Sequence, residues 1–163
     1  MPEKKTIQRA RADKRAGKSP STQAGEFVRE EIHHVREGKH GAESTKQAIA
    51  IGLAKARRAG VDLPPPPEDS SERTKESAES AVRRRGKKPS PRRSRAMRKV
   101  LQREGSSAAS RTALSRHAKS AAKRRSASDR SRAAKKAART KGAAGRKAAA
   151  RKAARTRARR AAR

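Results

Sequence analysis

The sequence predicts an all-α protein, in which a small N-terminal helical hairpin precedes a largely disordered or conditionally helical basic arm. Sixteen large apolar residues occur among 163, eleven of them in residues 1–63 and none after Leu114. The net charge is +6 over residues 1–63, −3 over 64–81 and +30 over 82–163. Because so few bulky apolar residues cannot offset the ordering entropy of so charged a chain, the composition excludes one compact globule.

Composition also excludes several other classes of protein. The chain has no cysteine, which removes a disulfide framework, a thiolate metal site and a cysteine nucleophile. No apolar run approaches the roughly 20 residues of a membrane span. The first eighteen residues, MPEKKTIQRARADKRAGK, lack the apolar stretch of a secretory signal. We therefore expect a cytoplasmic protein that has no membrane partner.

A basic segment, residues 1–19, precedes the first helix of the hairpin. Ser19, Pro20, Ser21 and Thr22 supply capping hydroxyls and a proline before AGEFVREEIHHVRE, and Gly38 ends the pattern. The apolar residues of this stretch fall within an arc of about 140° on a helix; they are Ala24, Phe27, Val28, Ile32 and Val35. Glu31 interrupts that arc near the phenylalanine.

The second helix of the hairpin, KQAIAIGLAKARRA, follows the polar link GKHGAE. Ser44 or Thr45 caps its start and Gly60 ends it. Its narrow face collects small residues that permit close approach of the first helix; they are Ala48, Gly52, Ala56 and Ala59, beside Ile49 and Leu53. The predicted hairpin module covers residues 20–63. Ile51 points away from its core, either as a tolerated exposed side chain or as a contact with a partner or with residues 1–18.

Residues 64–81 are predicted to form a proline-rich and acidic linker. Pro64 to Pro67 cannot continue the second helix and favour a stiff polyproline segment. The polar stretch EDSSERTKESAES follows, with helix beginning toward Val82. Its acids are either a plain spacer or an intramolecular competitor for phosphate sites on the basic neighbours.

The arm, residues 82–163, is low in complexity and contains a repeat. AAKKAARTK at 133–141 recurs sixteen residues later as AARKAARTR at 149–157. Ala, Lys and Arg favour helix, but Lys147, Arg151, Arg155, Arg159 and Arg163 follow one another at i,i+4, where like charges repel. We therefore expect the arm to gain helix when phosphates neutralise it.

Duplex DNA is the favoured partner of the arm, and RNA is possible. The chain has no Asn, no aromatic stacking pair and no Cys/His finger, so binding should be independent of sequence. Candidate phosphate contacts are Arg83, Arg84, Arg85, Lys87, Lys88, Arg92, Arg93, Arg124, Arg125, Lys135, Lys136, Arg139, Arg146, Lys147, Arg151, Lys152, Arg155, Arg157, Arg159, Arg160 and Arg163.

Two more specific DNA-binding patterns compete with this interpretation. Ser90-Pro91-Arg92-Arg93 matches a minor-groove turn of linker-histone tails, and equally a serine cap with a proline opening a helix. The two predicted helices of the hairpin also suggest a helix-turn-helix. However, their link is longer than the usual three or four residues, and no third helix with a strong apolar stripe completes such a domain.

Neither a metal site nor an enzyme is expected. His33, His34 and His40 lie near Glu30 and Glu37, but adjacent histidines point about 100° apart on a helix and do not readily chelate one ion. The sequence also has no Gly-rich phosphate loop and no nucleophile–base signature, and it indicates no cofactor or small-molecule substrate.

Residues 20–63 resemble a known family. EFVREEIHHVREGKHG followed by STKQAIAIGLAKARRAG is similar to a family of short basic bacterial and phage proteins with a domain of unknown function and a KQAIAIGL-x-x-AR signature. The resemblance implies a two-helix module without a known activity. Separately, residues 130–163 are similar to the Lys/Ala-rich tails of bacterial histone-like proteins.

Together these observations predict sequence-independent binding and compaction of DNA in the bacterial nucleoid. Two other functions remain open. One is an RNA- or ribosome-associated basic protein, since the arm does not distinguish duplex DNA from structured RNA. The other is a protein-interaction hairpin that docks a partner and that the arm merely localises.

Overall fold

The computed structural model describes residues 2–162, which contain only helices and their connections. The helices are α1 (Lys4–Arg15), α2 (Pro20–Arg36), α3 (Thr45–Arg58), α4 (Glu72–Arg83), α5 (Pro91–Gln102), a short 3₁₀ turn (Ser107–Ala109), α6 (Arg111–Arg124) and α7 (Ala127–Ala161). The all-α prediction is confirmed. No helix within these residues is both long enough and apolar enough to span a bilayer.

The chain divides into two compact units, Met1–His117 and Ala118–Arg163. This division differs from the boundaries of the sequence analysis, because the first unit takes in the linker and part of the arm as well as the hairpin. The buried apolar residues that the structure describes all lie in the first unit.

Helices α2 and α3 form the centre of the first unit. Ser44 caps α3, and its Oγ accepts a hydrogen bond from the Gln47 amide at 3.2 Å. Ala48 and Ala56 are fully buried. At Gly52 the two helices come so close that a Cβ would lie 2.7 Å from Val28 Cα. Small residues on α3 therefore set the distance between the two helices, as their spacing suggests.

Helix α1 packs against α2, whereas the sequence analysis offered only a contact of residues 1–18 with Ile51 as one alternative. Its Thr6 and Ala10 are buried, and Ile7, like Leu53 of α3, packs against the core cluster that contains Phe27 of α2. The apolar signal in α1 is weak because Ile7 is its only large apolar residue. The helix is stabilised by a core that the other two helices supply.

The linker and the start of the arm also contribute to the first unit. Helix α4 contacts α3 and buries Ala78 and Ala81. Its end is fixed by a hydrogen bond from the Gly86 amide to the Arg58 carbonyl oxygen at 3.1 Å. The 3₁₀ turn packs on α2 and α3 through Ala108 and Ala109. The buried residues in these contacts are alanines. A sequence analysis that counts only large apolar residues does not detect their burial.

The sequence analysis expected a largely disordered or conditionally helical arm, and the disorder is wrong, because the described residues from 91 onward form α5, α6 and α7 with short connections. The physical reason is helix propensity. Alanine is the best helix former, and Lys and Arg follow closely. Each i,i+4 repulsion between like charges opposes helix by only a few tenths of a kcal/mol. Gain of helix when phosphates bind stays a prediction.

Candidate nucleic-acid interface

Helix α7 presents a long surface on which no described residue is buried. A non-helical Gly142, with φ 64° and ψ 174°, separates residues 127–141 from 143–161. At 1.5 Å per residue the two segments are about 22 and 28 Å long. Gly142 suits this break because a positive φ strains residues that have a Cβ.

The cations of α7 are distributed around the helix. The second segment holds eight of the predicted contacts, and at 100° per residue no gap between them exceeds about 80°; they are Arg146, Lys147, Arg151, Lys152, Arg155, Arg157, Arg159 and Arg160. Lys135, Lys136 and Arg139 lie on the first segment. Arg163 lies outside the described residues.

The two copies of the repeat have the same local geometry. Thr140 Oγ1 donates a hydrogen bond to the Lys136 carbonyl oxygen at 2.9 Å. Thr156 Oγ1 donates in the same way to Lys152 at 3.0 Å. The structure thus places equivalent cations of each copy on equivalent turns of the two segments.

The start of α7 carries the single acidic residue of residues 118–163. Asp129 lies 2.7 Å from Arg132 Nη2, and Ser126 Oγ donates a hydrogen bond to its carboxylate at 2.8 Å. The Ser126 hydroxyl and then the Arg132 guanidinium lower the pKa of Asp129. Ser126 Oγ also accepts from the Asp129 amide at 3.1 Å, which caps the helix.

The predicted phosphate contacts near residue 85 lie in the first unit, and some of them already bind other groups of the protein. Arg85 Nη1 lies 2.9 Å from Asp62 Oδ1, and its Nη2 donates to the Gly60 carbonyl oxygen at 2.9 Å. Arg83 pairs with Glu79 at 3.4 Å. The neighbouring Arg84, Lys87 and Lys88 are exposed beyond the helical part of α4.

The Ser-Pro-Arg-Arg pattern opens α5. Pro91 is the first residue of that helix and Ser90 precedes it, without a side-chain capping bond. Arg92 and Arg93 are exposed on its first turn. Helix initiation by the proline is confirmed, whereas contact with a minor groove stays a prediction. Arg124 ends α6, and Arg125 lies in the connection to α7.

A partly buried polar cluster in the first unit includes His34 and His40, which the sequence analysis named, but also Glu31 and Lys55, which it did not connect with them. It consists of Glu31 and His34 on α2, and His40 in the link after α2, with Lys55 of α3 against the Glu31 carboxylate. Glu31 is 1% exposed, so the interruption of the apolar arc is a buried, paired carboxylate. The sequence does show an acid on the apolar face of α2 and a lysine in α3, but their spacing alone does not predict that they meet.

The edge of this cluster reaches α1. His34 Nε2 lies 3.0 Å from Glu3 Oε1, and that hydrogen bond lowers the pKa of Glu3. The backbone amide of Glu3 donates to both carboxylate oxygens of Glu30, at 3.3 and 3.2 Å. Glu30 is buried. The i,i+4 pair Glu30–His34 is therefore part of the packing between α1 and α2, not an exposed surface pair.

Comparison with known proteins gives one match. No curated protein and no solved structure matches the chain. The matched segment begins within α1 and includes all of α2 and α3, so it contains the predicted hairpin and the partly buried polar cluster. Residues 11–66 match a family of unknown function (DUF6496).

Proposed function

We propose that this protein binds and compacts DNA without reading its sequence, as a histone-like component of the bacterial nucleoid. The observation that carries the proposal is the surface of α7, which has cations on every side and no buried residue among those described. Residues 118–163 contain 19 basic residues and one acid, which is itself ion-paired. A surface of this kind suits a dense polyanion.

The distribution of the cations around α7 supports contact with more than one duplex. A duplex carries one phosphate charge per 1.7 Å of axis, so the 28 Å second segment of α7 spans about 17 phosphates. Eight cations arranged around that segment are too few to neutralise one duplex alone. They are, however, placed to face two duplexes at once, which is the geometry that compaction requires.

The residues also support the absence of sequence specificity. Base reading in the major groove relies mainly on Asn, Gln or Arg held at defined angles by a folded domain, and ssDNA platforms rely on aromatic residues. In α7 the arginines extend from a helix that no described core orients, and the chain has no Asn, Trp or Tyr. Contacts of this type position a protein on phosphates and read no bases.

The first test is the salt dependence of binding to unrelated duplexes. Neutralisation of about ten phosphates gives a slope near −9 in log K against log salt. A slope shallower than about −3, or a hundredfold preference for one duplex sequence, would contradict the proposal. A structured RNA of equal length, run in competition, distinguishes the RNA-associated alternative, and shortening of a stretched single DNA molecule reports compaction directly.

A charge-matched pair of variants tests whether the arm is the binding surface. The first replaces Arg151, Lys152, Arg155 and Arg157 of α7 with Gln. The control replaces the exposed Lys4, Lys5, Arg11 and Lys14 of α1 with Gln, which removes the same charge. We expect the salt slope to fall by about 3 to 4 in the α7 variant and by less than 1 in the control. Equal losses would show that total charge, and not the arm, determines binding.

A further inference from the structure

We propose that Glu31, His34 and His40 form a binding site for a Zn²⁺-class divalent cation. One potential ligand atom from each of the three side chains lies within 4.8 Å of the other two. Glu31 and His34 share one face of α2, at i,i+3 spacing. His40 reaches the same point because the chain reverses at Gly38, whose φ is 71°.

The first supporting observation is an unsatisfied buried oxygen. Glu31 Oε2 contacts Lys55 Nζ, whereas Glu31 Oε1 has no hydrogen-bond partner among residues 2–162. Such an atom is costly to bury, because it has lost water without gaining a replacement. His40 Nε2 lies 3.0 Å from Oε1, but the two atoms are not aligned for a hydrogen bond. The two atoms are therefore close to each other without a shared proton in this geometry.

The second supporting observation is the tautomer of His40. Its Nδ1 lies 2.9 Å from the Gly41 carbonyl oxygen, which can only accept, so Nδ1 carries the proton. In the neutral imidazole the lone pair is then on Nε2, and this nitrogen lies 3.0 Å from Glu31 Oε1. A cation between the two atoms removes the repulsion between them. A backbone carbonyl holding the other ring nitrogen is the usual arrangement around a metal-bound histidine.

The link that carries His40 is held firmly. The Gly41 amide donates to the Leu101 carbonyl oxygen at 2.8 Å, and the Ala42 amide donates to Gly105 at 3.1 Å. A Cβ at Gly41 would overlap the Glu104 carbonyl oxygen, so only glycine fits there. The backbone beside His40 is thus fixed by contacts with the end of α5, which reduces the entropy lost when a metal binds.

His34 completes the set. Ligand atoms in a tetrahedral zinc site lie about 3.3 Å apart, which follows from metal–ligand distances near 2.0 to 2.2 Å. Metal binding would have to draw the three ligand atoms together from separations of up to 4.8 Å. Glu3 Oε1, at 3.0 Å from His34 Nε2, is the outer carboxylate available to orient this ligand. His₂Glu is a known zinc set that leaves a fourth position for water.

The local charge favours a dication. Glu3, Glu30 and Glu31 face two amines, Lys55 at the Glu31 carboxylate and Lys39 at 3.5 Å from Glu3. These five groups leave one net negative charge when both imidazoles are neutral. Lys55 stays on Oε2 and leaves Oε1 to the metal. The sequence-based objection concerned adjacent histidines, and it does not apply because the site uses only one of His33 and His34.

The test is metal titration of the full chain at high salt, after removal of bound nucleic acid. We expect one Zn²⁺ per chain with a Kd of about 1 μM or tighter, and the visible ligand-field absorption of tetrahedral Co²⁺. His40→Gln and His34→Gln should each weaken Zn²⁺ binding by about a hundredfold or more. The controls His33→Gln and His117→Gln should change it by less than about threefold.

Circular dichroism establishes that each variant keeps its helices. If a histidine variant unfolds, the Co²⁺ spectrum and the Zn²⁺ stoichiometry of the unmodified chain decide the question. Absence of tetrahedral Co²⁺ absorption, or a Zn²⁺ Kd weaker than about 100 μM, overturns the proposal. Equal losses in His33→Gln and His40→Gln overturn it as well, because they would indicate scattered surface binding.

Discussion

Helices α2 and α7 are both α-helices, but different interactions stabilise them. The seventeen residues of α2 bury seven side chains, including Phe27 at 1% exposure. The described residues of α7, twice as many, bury none. Packing against other helices stabilises α2, whereas α7 depends on alanine, lysine and arginine propensity and on its cap. Helical content alone therefore does not report a folded core in this protein.

The strongest test of this contrast is Phe27→Ala. Phe27 packs in one core cluster with Ala10, Ala24, Ala56 and Val61, so its truncation should cost about 3–5 kcal/mol of unfolding free energy. Amide exchange should accelerate in α1, α2 and α3 while exchange in α7 stays unchanged. The matched control is His33→Ala at an exposed position of the same helix, with an expected change below about 0.5 kcal/mol. Accelerated exchange in α7 would contradict the contrast.

A pair of glycines in the first unit gives substitutions of opposite sign. At Gly52 a Cβ would lie 2.7 Å from Val28 Cα, so Gly52→Ala should force α2 and α3 apart and destabilise by about 1–3 kcal/mol. At Gly25, in α2, a Cβ meets no atom within 4 Å. Gly25→Ala should therefore stabilise by about 0.5–1 kcal/mol through helix propensity. Denaturant unfolding measures both, and equal effects would contradict the close approach.

Much of the α2–α3 pair was predictable from the sequence. The signals that start and end these helices are local and act within one turn. The structure contains each of them: the Ser44 side chain caps α3 at the Gln47 amide, and Gly38 and Gly60 have positive φ after the ends of α2 and α3. Helix α1 and the 3₁₀ turn were not predictable. Their buried residues are mostly alanines, whose role depends on neighbours distant in sequence.

Of the candidate sites, the cationic surface could be identified from composition, whereas the polar cluster could not. The cluster requires the chain reversal at Gly38 to return His40 to Glu31, which lies nine residues earlier. Spacing within a helix does not predict such a contact. Lys55 joins the same cluster from α3, twenty-four residues after Glu31.

A smaller effect is expected at the start of α7. Ser126→Ala removes the hydroxyl that caps the helix and should cost about 1 kcal/mol of local helix stability. The loss should appear as faster amide exchange in the first turns of α7, because no described core holds that end. The corresponding Ser44→Ala in α3 should leave local exchange slow, since Thr45 and Ala48 of that turn are buried. Equal fraying at both caps would contradict this expectation.

The smallest expected effect is the pH dependence of the same cap. Because the Ser126 hydroxyl and Arg132 lower the pKa of Asp129, its contribution is fully present above the ordinary aspartate pKa. It is lost as the pH falls through the lowered value. Carboxyl chemical shifts of Asp129 measure this pKa directly. In Ser126→Ala it should return toward the ordinary value, and an unchanged pKa would contradict the assignment.

The repeat in α7 bears on how such a chain changes over evolutionary time. Insertion or deletion of residues in α2 would rotate Phe27 out of its core. In α7, one sixteen-residue period, which contains a nine-residue copy of the repeat, can be gained or lost without disturbing any packed side chain that the structure describes. Arm length is thus open to drift by slippage during replication of a repetitive coding sequence, and homologous chains should differ far more in arm length than in the spacing of α2 and α3.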